Sequence, residues 1–164
     1  MTPKRILLPI DLTRCPLEVF EVVNGMAARA DTTVILLYVV SLNILAPENR
    51  VYEELYGEAL SYLQRLARLH LAASATPVFH VRFGHPAEVI LAEAQAEHVD
   101  LIILPAPGPS LWDRLVSLWK DRGGHLFRPI VRQVIQHSTC GVFLLTTRSH
   151  FDCQRAWGSL AHAA

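Results

Sequence analysis

A doubly wound α/β domain with five parallel strands is the fold class predicted for this chain, on three observations. Five short, nearly continuous apolar runs recur along it, as expected of parallel strands covered on both faces. The stretches between them place apolar residues at spacings of three and four, the helical period. The resulting order, β-α-β-α-β-α-β-α-β, fits one domain of 164 residues with 51% apolar and 18% charged residues, enough to bury a sizeable core.

Ile6 to Ile10 is the first strand. Leu17 to Ala30 follows as a helix, with Val19, Val22 or Val23, Met26 and Ala30 on one side and Thr13 or Arg14 near its start. Thr33 to Val40 is the second strand. Glu48 to Ala72 is a long helix whose stripe comprises Tyr52, Leu55, Ala59, Leu63 and Leu66. Val78 to Phe83 is the third strand. The next helix, Pro86 to Glu97, opens on a proline, where the missing N–H is harmless. Leu101 to Leu104 and Val142 to Leu145 are the last strands, preceded in the second case by a helix over Ile130 to His137. Right-handed crossovers prune the arrangements to a Rossmann-like sheet, whose ligands bind at the carboxyl ends of the strands beside the switch point. That rim carries Asp11, Val39 to Ser41, Gly84 and Pro105 to Gly108. Residues 148 to 164 have weak periodicity and read as a peripheral tail outside a domain of residues 1 to 147.

Composition excludes several function classes. Zero net charge argues against a dedicated nucleic-acid binder, although the halves differ. Residues 1 to 109 hold eight Lys/Arg against twelve Asp/Glu, near −4, and residues 110 to 164 hold seven against three, near +4. Three cysteines (Cys15, Cys140, Cys153) without a Cys-x-x-Cys pair argue against a disulfide framework or zinc knuckle and fit a reducing cytosol. Met1 to Arg5 runs straight into a strand, leaving no room for a signal peptide. Apolar runs fall well short of the roughly 20 residues a membrane span needs. Eight histidines raise a metal question, but no His-x-x-x-His pair or carboxylate cluster appears, so no metal site is expected at His80, His85 or His137.

Several segments together resemble the universal stress protein family. Lys4-Arg5-Ile6-Leu7-Leu8-Pro9-Ile10-Asp11 looks like its first strand with an apolar-Pro-x-Asp turn, and Leu36-Leu37-Tyr38-Val39-Val40 like its second. Gly84-His85-Pro86-Ala87-Glu88-Val89-Ile90 is similar to the third-strand-to-helix junction. Asp100 to Leu104 matches the fourth strand, and Gln136 to Leu145 the final helix-to-strand passage. The match spans residues 4 to 147. It implies an adenine nucleotide alpha hydrolase-like sheet, a stress-response role in a bacterial cytoplasm, and a homodimer joined through or near Val142 to Thr146.

In ATP-binding members the resemblance gives Pro9 and Asp11 a place beside the adenosine and Val39 a backbone contact to adenine. Ribose and phosphates are wrapped by Gly-x-x-Gly, followed nine residues later by Gly-Ser or Gly-Thr, because glycines let backbone N–H groups approach oxyanions beside a helix N-terminus. This chain departs from that pattern. Pro105 stands at the first glycine with no N–H to donate, and Gly108 keeps the second. Arg128-Pro129 aligns with the terminal pair after an insertion of about ten residues, so Arg128 is either a solvated residue at a helix start or a replacement phosphate contact.

The insertion reads as an amphipathic helix over about residues 110 to 124. Ser110 with Asp113 suits a capping pair, and Gly123-Gly124 supplies a stop. Leu111, Trp112, Leu115, Val116, Leu118 and Trp119 share a stripe of roughly 160°. It docks on its own domain, covers or fills the cleft, or presents Trp112, Leu115 and Trp119 to a protein partner or second copy. Its polar face is not basic enough for a membrane surface. His125 lies near the expected cleft, and Cys15 is either packed beside Pro16 or a thiol activated by a helix start. Asp11 has no neighbouring carboxylate or base to suggest acid–base work; it is a turn residue or an adenosine contact.

Catalysis finds no motif. The pyrophosphate loop Ser-Gly-Gly-x-Asp-Ser is replaced after the first strand by Asp11-Leu12-Thr13-Arg14, and neither His-x-Gly-His nor Gly-x-Gly-x-x-Gly occurs. Two functions remain. The preferred one is a non-enzymatic stress-response regulatory or interaction protein with nucleotide binding lost or modified. The other is a switch binding ATP or AMP, with Mg²⁺, through Asp11, Val39, Gly108 and Arg128.

Overall fold

The computed structural model describes residues 3–11, 17–27, 31–41, 49–107 and 127–147. Among these, five strands and four helices alternate: β1 (Arg5–Ile10), α1 (Glu18–Ala27), β2 (Thr32–Val40), α2 (Asn49–His70), β3 (Ala75–Phe83), α3 (Pro86–Ala96), β4 (Leu101–Pro107), α4 (Phe127–His137) and β5 (Gly141–Thr147). The sheet is parallel throughout, in the order β3-β2-β1-β4-β5.

Side chains alternate cleanly across it, because successive strand residues point to opposite faces. Ile6, Leu8 and Ile10 of β1, Val34 and Leu36 of β2 and Ile103 of β4 pack with Val19, Phe20 and Val23 of α1 and Ala59, Leu63 and Leu66 of α2. Leu7 of β1, Ile35 and Leu37 of β2 and Ile102 and Leu104 of β4 pack with Ala87, Ile90 and Ala94 of α3 and Val134 of α4. The chain therefore winds outward from β1 to β3 with its helices on one face, then from β4 to β5 with its helices on the other. The pivot lies between β1 and β4.

Two expectations are corrected. Leu55 of the long-helix stripe is exposed, and the buried part of α2 begins at Ala59; Tyr52 instead meets Phe83 edge-on at 5.0 Å. Pro105 to Pro107, expected to lie past a strand ending at Leu104, continue β4: Pro105 pairs with Leu145, Ala106 with Thr146 and Pro107 with Thr147.

Short polar ties set the joins. The Asp100 carboxylate accepts the backbone N–H groups of Lys4 (2.8 Å) and Arg5 (2.9 Å), pinning the start of β4 against β1. Asn24 of α1 donates from Nδ2 to the His70 carbonyl and accepts from the Ala72 N–H, both at 2.8 Å, closing the end of α2. After α3, His98 takes a positive φ of 48°, while its N–H and that of Val99 return to the Gln95 and Ala94 carbonyls. This is a Schellman-type stop without a glycine.

Candidate functional site

The switch-point geometry is visible in the strand registers. β1 and β4 pair through Ile6–Leu101 and Leu7–Ile102 only, whereas β4 and β5 pair over seven residues up to Pro107–Thr147. Beyond Ile102 the two central strands no longer share a ladder, and the crevice of a doubly wound sheet opens at that end. Pro9 and Asp11 flank it from β1, and Tyr38 and Val39 from β2, with Pro9 opposite Leu37 and Ile10 opposite Tyr38 in the register.

The far side of this rim is held by backbone. The Gly84 N–H donates to the Val40 carbonyl at 3.1 Å, linking the turn after β3 to the end of β2. Gly84 has φ 143°, and a Cβ there would come within 3.1 Å of Val89 Cγ2. Only glycine suits this turn, which starts α3 at Pro86 with His85 as N-cap.

Electrostatics point to one residue that sequence reasoning did not single out. Burial pushes the Tyr38 phenol above its usual 10.0, and the nearby Asp11 carboxylate adds to the effect by opposing a second negative charge. Tyr38 and Asp11 thus form a polar pair at the ends of adjacent strands. The sequence signal was a polar-tipped aromatic inside an otherwise aliphatic run.

Of the expected site residues, Pro9, Asp11 and Val39 meet at this rim. Arg128 and Pro129 fall in the first turn of α4, where a missing N–H removes no helical bond. The Arg128 side chain lies outside the described residues. So do Gly108, the inserted segment with Trp112, Leu115 and Trp119, His125, Cys15 and the tail from residue 148. No helix among the described residues is long and apolar enough to cross a membrane.

One cluster is new. His80 of β3, Glu93 of α3 and Glu97 just past the end of α3 converge with their ligand atoms within 4.8 Å of one another, which corrects the reading that no carboxylate cluster accompanies the histidines. The residues are 13 and 17 positions apart in sequence and meet only through the packing of α3 on β3, so no spacing motif marks them.

The model of the universal stress protein family matches residues 2–145. Among curated proteins none matches significantly. Solved structures give the same fold. The hypothetical protein MJ0577 is 19% identical with a TM-score of 0.68, covering 91% of this chain and 99% of its own. A universal stress protein in complex with cAMP is 13% identical with a TM-score of 0.59, covering 89% and 98%. The universal stress protein from Archaeoglobus fulgidus in complex with dAMP is 17% identical with a TM-score of 0.53, covering 88% and 98%. With a parallel 3-2-1-4-5 sheet, a crevice at its switch point and a family match over nearly the whole length, the chain belongs to the universal stress protein family.

Proposed function

We propose that this protein is a non-enzymatic stress-response regulatory or interaction module in which triphosphate recognition has been lost or modified. The observation that carries the reading is Pro105. It stands where the first phosphate-loop glycine is expected, within β4 and paired with Leu145. A proline there offers no N–H to an oxyanion. The non-enzymatic part rests on the sequence Asp11-Leu12-Thr13-Arg14, which lacks the glycines and serine of a pyrophosphate-cleaving loop. A cytoplasmic setting is in keeping with the free Cys140 thiol.

A second reading, a switch responding to an adenine nucleotide, is favoured by the intact base side of the rim: Asp11, Val39 and the Gly84–Val40 link. The structures carrying cAMP and dAMP hold ligands with a single phosphate. Calorimetric titration of nucleotide-stripped protein separates the two. The proposal expects neither ATP with Mg²⁺ nor AMP to bind up to millimolar concentration. A micromolar constant for either nucleotide, about −8 kcal/mol, overturns it and establishes the switch.

The proposal includes a homodimer through β5. That strand is an edge of the sheet, and it exposes 40% of both Phe143 and Leu144, with Ile135 of α4 exposed nearby in sequence. Unpaired apolar edges are normally covered. Phe143→Lys with Leu144→Lys is expected to halve the mass measured by light scattering while circular dichroism stays unchanged; a mass equal to that of the parent refutes the interface.

A further inference from the structure

We infer that His80, Glu93 and Glu97 form a binding site for one zinc-class divalent cation, on the α3 face of the sheet and outside the crevice. Two of the three provide ligands and the third orients the ring. Glu93 is held as a carboxylate by Arg82, whose Nε donates to its Oε1 at 2.5 Å. An ionised carboxylate only accepts, so the contact at 2.5 Å between Glu93 Oε2 and His80 Nδ1 requires the ring proton on Nδ1.

That tautomer turns the Nε2 lone pair toward Glu97, whose Oε1 lies 3.9 Å away. While the ring is neutral these are two acceptors facing one another, and a bound cation can take the place of a proton on Nε2 between them. A carboxylate accepting from the distal ring nitrogen is also the usual support for a metal-bound histidine. In tetrahedral geometry, ligand atoms about 2.0–2.2 Å from zinc lie roughly 3.4 Å apart. The gap therefore needs to close by about half an ångström. The histidine nitrogen selects zinc and its neighbours over Mg²⁺ or Ca²⁺, which prefer oxygen donors.

The surroundings temper the affinity and leave an entrance. Arg5 is paired with the other Glu97 oxygen, and Arg5 and Arg82 together already balance the two carboxylates. Both of the Glu97 and His80 side chains keep some solvent access, 29% and 15%, so water can complete the coordination shell. Weak, micromolar-range binding is the expectation.

The test is competition with a chromogenic chelator on full-length, metal-free protein, using Zn²⁺ alone. Eight histidines and three cysteines provide other weak sites, so the substitutions carry the argument. One equivalent per chain is expected to bind to the parent, with affinity falling toward acid because a ligating imidazole must be neutral. His80→Gln and Glu97→Gln should each lose this equivalent. Glu93→Gln should retain it with affinity reduced about 10–100-fold, as for other residues that support a metal-bound histidine. Co²⁺ in place of zinc should give a tetrahedral visible spectrum that Glu93→Gln weakens and His80→Gln abolishes. Glu97→Gln, at the partly exposed end of α3, keeps the test decisive should His80→Gln fold poorly. Parent protein without a site tighter than roughly millimolar, or Glu97→Gln binding zinc like the parent, overturns the assignment.

Discussion

Asn24 offers a quantitative test of how the two helices on the α1 face are joined. Its amide satisfies two groups at the end of α2: the His70 carbonyl, which has no partner within the helix, and the Ala72 N–H. Both bonds are 2.8 Å long and half-buried. At a net contribution of about 1 kcal/mol each, Asn24→Ala should cost about 2 kcal/mol. Water reaches part of the site and keeps the cost from rising further. For a domain of this length that corresponds to a fall in Tm of roughly 4–8 °C. Asn24→Asp probes direction as well as presence. It keeps the acceptor for Ala72 but sets a second acceptor against the His70 carbonyl, at the negative end of the helix dipole. Both neighbours raise the pKa of the introduced carboxyl above its unfolded value. Its protonated form regains a donor, so Asn24→Asp should be most stable below the unfolded carboxyl range and lose stability as pH rises through the folded value. Urea unfolding at neutral and acidic pH measures both variants. A cost for Asn24→Ala below about 0.5 kcal/mol, or an Asn24→Asp deficit that does not shrink on acidification, refutes the reasoning.

Three further outcomes follow from the fold and the rim. Phenolate absorbance should contain a component titrating above 10.0 that Tyr38→Phe removes, and Asp11→Asn should lower its midpoint without restoring the ordinary value, since burial is the larger cause. Because the folded pKa is raised, Tyr38 contributes stability that is intact below pH 10.0 and lost as pH climbs through the folded value; Tyr38→Phe should flatten that alkaline limb in denaturant titrations. Gly84→Ala should cost about 1–3 kcal/mol through its backbone conformation, and adding Val89→Ala should recover only the part due to the 3.1 Å approach, as a double-mutant cycle by urea unfolding would show. Leu36→Ala, at a fully buried central-strand position, should cost about 2–5 kcal/mol in the same assay.

Much of this architecture was legible because a parallel sheet covered on both faces writes its strands as continuous apolar runs. All five runs became strands, in the expected order. Two strands run further than their apolar cores, through prolines that those cores left out. β3 starts at Ala75 and contains Pro77, which an edge strand tolerates because one side needs no ladder. β4 continues through Pro105 and Pro107 because its pairing with β1 has ended and one flank makes no demand for an N–H. Asp11 and Val39 were named from their positions at strand ends and Pro9 from the family resemblance, and β1 and β2 carry all three at or next to their carboxyl ends. Tyr38 was not legible, since its distinction lies in burial beside Asp11, and the His80 cluster was not, since only tertiary packing assembles it.

The sheet also works as a partition between two largely separate interiors. Leu7 and Leu8 are neighbours in sequence, yet they belong to different cores, and the same holds for Ile102 and Ile103. Damage on one side should therefore add to, rather than compound, damage on the other.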